Sequence, residues 1–304
     1  MSRKLSSGII LLLIITNIVT LIFWRNDGGG HNKTPTVDNG DGQQSVEETL
    51  ATVGDKTITY DEWIEALKGE QGKRQLKNMI DREVVQQLAE EKNIQVNDKL
   101  VDREMALLMT MEGVMTEDEI EKEEEKLRTD IEHRYLLEAL LADGTSVSED
   151  DVRTYYDNYH NQYNFSASIQ FSHIIVDDMD TAEKVITELD DGASFQLLAQ
   201  EYSTDDETKD QGGYLGFYST TSQFMPSGYS DVAEDMDEHT YSEPFQVGDD
   251  VAIIYLHRTL PAYEFEYDEI KDHIKNELAL NELEQSLTVD PLWDELDIDW
   301  IYDK

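Results

Sequence analysis

A single histidine sits inside the apolar run S-H-I-I-V at 172–176, and an aspartate, Asp205, stands just past a helical pattern ending at Tyr202. Downstream comes an apolar set: Leu215 and Phe217 in G-G-Y-L-G-F, then Phe224, Met225 and Tyr229. An apolar hollow with one or two polar groups is the common form of a small ligand site. The competing reading makes His173 a satisfied core group on a strand, and the residues alone leave both open. Other chemistries find no footing. The chain shows no Ser/His/Asp motif, no phosphate loop and no pair of histidines at metal spacing. G-G-Y-L-G is too short for a dinucleotide fingerprint. Without cysteine there is no disulfide, no thiolate metal site and no lipid-attachment residue. No metal and no cofactor are expected.

The elements that must hold these residues read as an α/β unit. Ile169–Val176 is a strand, Thr181–Leu189 and Phe195–Tyr202 are short helices, and a glycine pair feeds a further strand. Tyr241–Val247 and Val251–Leu256 are expected as the last two strands, joined at Gly248-Asp249-Asp250. Ahead of this unit, Leu50–Val53 and Thr57–Thr59 form a hairpin about Gly54-Asp55. Four or five helices follow. Thr59-x-x-Glu62 and Thr116-x-x-Glu119 are capping boxes, and Ser148-x-x-Asp151 caps another helix. Lys73–Lys92 carries the stripe Leu76, Met79, Ile80, Val84 and Leu88. Methionines at 105, 109, 111 and 115 and tyrosines at 155, 156, 159 and 163 read either as core at helical spacing or as a client-facing groove. Glu269–Leu287 returns to helix. The tail carries Leu292, Trp293, Leu296, Ile298, Trp300 and Ile301, too apolar to hang free. Docked on the N-terminal helices, it makes the α/β unit an insert in a discontinuous helical domain.

Composition narrows the setting. The chain has 304 residues with 67 acidic against 24 basic, a net charge of −43. Nucleic acid demands a basic face, so it is excluded as a partner. The acidity reads as adaptation of a solvated surface to its habitat. Met1–Ser7 is short and basic, and Gly8–Trp24 is almost wholly apolar. Seventeen helical residues span about 25 Å, near the short limit for a membrane helix. Basic residues before it and an acidic sequel after it put the N-terminus in the cytoplasm and the bulk outside. No small-x-small cleavage site follows, so an uncleaved anchor is expected, with a signal peptide as the alternative. Asn26–Glu48 is a polar tether. Its loose likeness to a calcium loop fails, since Val37 takes the first ligand position and no entering helix precedes it.

S-H-I-I-V at 172–176, A-E-K-V at 182–185, F-Q-L-L-A-Q-E-Y-S-T-D at 195–205, G-G-Y-L-G-F at 212–217 and Y-S-E-P-F at 241–245 resemble a parvulin-type peptidyl-prolyl isomerase domain. With A-T-V-G-D-K-T-I-T opening the helical part and a returning C-terminal helix, the whole is similar to the PrsA and SurA foldases. The resemblance implies an α+β chain. Residues 1–7 would be cytoplasmic, 8–24 the anchor and 25–48 a linker. Residues 49–165 would form a helical chaperone-like domain, 166–260 a parvulin-like domain with a four-stranded antiparallel sheet, and 261–304 a C-terminal helix and tail packed on the helices. It further implies an extracytoplasmic isomerase and foldase acting on unfolded secreted polypeptides. His173 and Asp205 take the catalytic positions; Leu215, Phe217, Phe224, Met225 and Tyr229 line the proline pocket, with Tyr229 where the family has Phe. Two departures stand out: the anchor lacks a lipobox cysteine, and the family's second network histidine falls on Ala252. His257, by alternation, points to the other face. The alternative is a non-enzymatic holdase with a degenerate parvulin domain.

Overall fold

The computed structural model describes residues 49–283 and 287–302. The expected cytoplasmic segment, anchor and linker, with the calcium-like loop, lie outside the described residues. Among the described residues no helix is long and apolar enough to cross a membrane. The chain divides between Ala66 and Leu67 into two compact units. In the first, β1 (Thr49–Val53) and β2 (Lys56–Thr59) pair antiparallel around Gly54. Helix α1 (Tyr60–Lys68) follows through a closed capping box: the Thr59 amide donates to Glu62 at 2.9 Å, and the Glu62 amide donates to Thr59 Oγ1 at 3.3 Å.

The second unit begins with four helices, α2 (Glu70–Glu91), α3 (Asp98–Met109), α4 (Glu117–Ala142) and α5 (Glu149–Tyr159). Thr116 and Glu119 close the second capping box, and Ser148 Oγ accepts from the Asp151 amide. The sheet follows: β3 (Ser168–Val176), then α6 (Met179–Asp190) and α7 (Phe195–Tyr202), then β4 (Tyr214–Ser219). After α8 (Tyr229–Glu234) come β5 (Thr240–Tyr241), β6 (Phe245–Val247) and β7 (Asp250–Leu260). Helix α9 (Tyr267–Leu283) is the last α-helix among the described residues, and a 3-10 turn spans Asp290–Glu295.

The order is β4-β3-β7-β5, all antiparallel, with β6 pairing β7 beside β5. The sheet therefore has five strands where four were expected. Pro244 lies in the gap of what reads as one strand, Tyr241–Val247; it has no amide proton to give a ladder, and the run breaks into two short pieces. Phe165 and Tyr263 exchange both main-chain hydrogen bonds at 2.8 Å, so the chain enters and leaves the sheet region at one point.

One core joins α3, α4, α5 and α9 through Val101, Ile131, Val152, Ile270 and Ile274. A second holds Val84, Val85 and Leu88 of α2 against Leu137 and Leu141 of α4, with Val289 and Leu292 of the tail buried among them. Most of the methionine and tyrosine stripe is core. Met109 and Tyr163 are buried and Met105, Met115, Tyr155 and Tyr156 pack on them; Met111 and Tyr159 are exposed.

Candidate active site

His173 is held from both sides of its strand. The run Ile174-Ile175-Val176 is β-branched and favours the pleat, and β7 pairs along the whole of β3. On the β4 side the His173 amide donates to the Gly213 carbonyl at 2.8 Å. Gly213 has φ +76°, and a Cβ there would stand 1.9 Å from the His173 carbonyl oxygen, so only glycine fits this close approach.

The loop after α7 brings Asp205 to the same place. Thr204 donates its amide to the Ile175 carbonyl at 2.8 Å, and Ser203 Oγ accepts from the Ile175 and Asp205 amides. Asp205 Oδ1 then accepts from the Glu207 amide at 3.1 Å, an aspartate turn. His173 Nε2 stands 2.8 Å from Asp205 Oδ2 and 3.1 Å from Thr208 Oγ1, and Thr208 donates its hydroxyl to Asp205 at 2.5 Å. Nδ1 of the ring stands 2.9 Å from the Tyr229 hydroxyl.

The proton positions follow from charge. Burial pushes the His173 pKa below its ordinary value, against the hydrogen bond and charge of Asp205, which pull it up. Burial would raise the Asp205 carboxyl, but hydrogen bonds from Thr208, His173 and the Glu207 amide outweigh it and hold the group below the usual carboxylate range. Burial, then the Asp205 charge, raise the Tyr229 phenol, which keeps its proton. A carboxylate only accepts, so neutral His173 donates Nε2–H to Asp205 and accepts at Nδ1 from Tyr229. Tyr229 donates to His173, and His173 and Thr208 both donate to Asp205, so the four residues form one chain of hydrogen bonds converging on that carboxylate.

Above this chain lies an apolar cluster of Phe171, Tyr229, Ala252 and Ile254, with Leu215, Tyr218, Met225 and Phe245 packed on it. The rings of Phe171 and Tyr229 stand 5.4 Å apart, and those of Tyr229 and Phe245 meet edge-on at 5.3 Å.

Of the residues expected in the pocket, His173, Asp205, Leu215, Met225 and Tyr229 are brought together. Phe217 and Phe224 are not. Gly216, at φ +84°, sits at a bulge where β4 carries Leu215 as an extra residue opposite the Phe171/Ser172 step. Alternation flips there, so Phe217 turns away and packs on the helical core, while Tyr218 comes to within 5.5 Å of Phe171. Phe224 is 77 % exposed. Ala252, fully buried, faces the His173 side of the sheet, and His257 lies on the other face beside Ser172. Thr208, Tyr218 and Phe245 join the site beyond the residues expected from the sequence. Thr208 had a signal, three residues past an aspartate in a turn.

A family model described as a PPIC-type PPIASE domain matches residues 147–272. YacD of Bacillus subtilis (strain 168), whose name assigns it provisionally as a peptidyl-prolyl cis-trans isomerase, is 36 % identical over 262 residues, 86 % of this chain and 88 % of that one. Foldase protein PrsA 2 of Bacillus anthracis is 30 % identical over 254 residues, 83 % of this chain and 81 % of that protein. The chain belongs to the PrsA-like foldases. A crystal structure of PrsA from Bacillus subtilis is also similar, at 24 % identity over 84 % of this chain and 96 % of that one, with a TM-score of 0.32. Within this PrsA-like chain the isomerase-type domain holds the Tyr229–Thr208 chain of hydrogen bonds. The Tyr229 hydroxyl supplies His173 with a partner that a phenylalanine there would lack.

Proposed function

We propose that the protein rotates X-Pro peptide bonds of unfolded, secreted polypeptides on the outer side of a membrane to which residues 8–24 anchor it. The supporting observation is the Tyr229–His173–Asp205–Thr208 chain, buried at Tyr229 and His173 and half-buried at Asp205 and Thr208, beside an apolar cluster. Rotation faces a barrier of about 18–20 kcal/mol and breaks no covalent bond. The planar amide is the more polar state, so a water-poor hollow that seats the proline ring weakens its resonance. Leu215, Met225, Tyr229 and Phe245 form the hollow. Asp205, ionised and aimed at His173, disfavours negative charge on the carbonyl oxygen and so favours the twisted, less polarised amide. His173 donates to Asp205 and fixes where that charge sits.

The test is the cis-to-trans rate of a proline tetrapeptide with the whole chain and with His173→Ala. Acceleration by the wild type that drops at least tenfold in the variant is expected; equal rates in both would discard the proposal.

A second reading, a holdase that binds clients without isomerising them, is favoured by Ala252, a buried methyl where the family pattern has a second histidine. It predicts suppression of client aggregation that His173→Ala leaves intact, with no peptide acceleration by either protein.

A further inference from the structure

The sheet has two faces, and the proline site uses one. On the other, α6 and α7 cover Ile174, Val176, Val251 and Ile253. The cover stops there. Further along the same strands, Gln170, Ser172, Tyr255 and His257 floor a cavity of about 660 Å³. Its opposite wall comes from the segment entering α4 and that helix's first turn, with Val114, Met115 and Ile120. This volume lies within the range of about 300–1,000 Å³ usual for ligand sites.

The lining has a definite chemistry. Phe195, Tyr255, His257 and Tyr214 form a continuous row of rings, with successive centroids 5.5, 4.9 and 6.0 Å apart. His257 Nε2 stands 2.8 Å from Ser172 Oγ, and burial pushes its pKa down to about 4, so the ring is uncharged at neutral pH. Gln196 and Gln211 bring carboxamides, which both donate and accept, and Gln170, whose amide nitrogen already donates to the Gly113 carbonyl and the Tyr214 hydroxyl, brings its carbonyl oxygen. In a chain with 67 acidic residues, Glu117 is the one carboxylate of the lining. His239, at the rim, has φ +63°, a backbone conformation unusual for a residue with a side chain. Tyr214 lies on β4, an outer strand of the sheet whose register pairs it only with β3.

We infer that this cavity is a second polypeptide site, for an extended, uncharged segment carrying an apolar or aromatic side chain. Neutral groups that hydrogen-bond both ways match main-chain amides. The ring row, facing the aliphatic wall of Val114, Met115 and Ile120, matches a side chain better than a sugar, and the outer edge of β4 offers main-chain pairing. Ser172 and His173 are consecutive, so the two sites stand back to back on one strand.

The probe is the capped, proline-free hexapeptide acetyl-Ser-Leu-Asn-Phe-Thr-Gly-amide, titrated calorimetrically into the whole chain. Saturable one-to-one binding is expected. Val114→Trp and Gln211→Trp, at exposed positions on opposite walls, each weaken it at least tenfold. His173→Ala leaves it unchanged, and the proline-peptide rate of both tryptophan variants stays at wild type. Thermal melts confirm folding; if one tryptophan variant unfolds, the other decides. Absence of saturable binding, equal affinity in the folded tryptophan variants, or loss in His173→Ala overturns the inference. So does displacement of the peptide by tetra-N-acetylchitotetraose, which would make the site one for glycans. Because the probe lacks proline, these failures leave the isomerase proposal standing.

Discussion

Replacing Tyr229 by phenylalanine removes one oxygen and tests the reasoning at its centre. His173 is 7 % exposed, and its Nδ1 has the Tyr229 hydroxyl, at 2.9 Å, as its hydrogen-bond partner. Tyr229 is 1 % exposed, so water has no ready path to the vacated acceptor. A buried acceptor left unmet costs about 1–3 kcal/mol. At about 2–4 °C per kcal/mol for a chain of this size class, the melting temperature should fall by roughly 2–12 °C. Part of that cost falls on the ring's orientation. Freed at Nδ1, the imidazole is held by Asp205 and Thr208 on one side only, and an orientation loss of about 1–2 kcal/mol in the transition state lowers kcat/KM roughly five- to thirtyfold. The assay pairs thermal unfolding with the cis-to-trans rate of a proline tetrapeptide, and the nitrogen-15 shift of Nδ1 reads the lost bond directly. A Tyr229→Phe protein with wild-type melting, wild-type rate and an unmoved Nδ1 resonance would refute the reasoning.

Both His173 and Asp205 have folded pKa values below their unfolded ones, so each contributes stability that is complete above its unfolded value. The isomerase rate is expected to stay level from pH 8 down to about 6.5 and to fall below that, as the imidazole begins to take a proton; a fall centred above pH 7 would contradict this. Gly213→Ala forces a Cβ to within 1.9 Å of the His173 carbonyl at φ +76°; a loss of at least about 2 kcal/mol in urea unfolding is expected. Arg134 lies between Glu104 at 2.9 Å and Glu138 at 2.7 Å. Its removal leaves two carboxylates facing each other, and Arg134→Ala should cost about 3–5 kcal/mol, measured by the same unfolding. Ala252→His places an imidazole where a fully buried methyl packs, and about 1–3 kcal/mol of destabilisation is expected from overpacking.

Local signals were readable wherever neighbours in sequence decide the structure. Both capping boxes close as spaced, because the groups that meet lie three residues apart. The strand character of Ile169–Val176 follows from β-branched residues, and His173 and Asp205 follow from the family resemblance. The rest turns on events that periodicity does not carry. Alternation is valid only until a residue is inserted, so the bulge at Leu215 and Gly216 exchanged Phe217 for Tyr218 at the cluster. Pro244 divided a strand that hydropathy joins. The hydroxyl of Tyr229 reads as a conservative change from phenylalanine, and its meaning depends on a ring 56 residues away.

The double hydrogen bond between Phe165 and Tyr263 has a consequence for how such chains are assembled. In a hydrogen-bonded antiparallel pair the α-carbons stand about 5.5 Å apart, so a short turn could bridge the cut if residues 166–262 were excised. The sheet region is thus a cassette on a clasp. Lengthening it changes the loop-closure entropy only logarithmically, whereas losing it would strip Phe217 and Leu260 from the helical core, so an exchanged cassette must bring apolar side chains of its own to that contact.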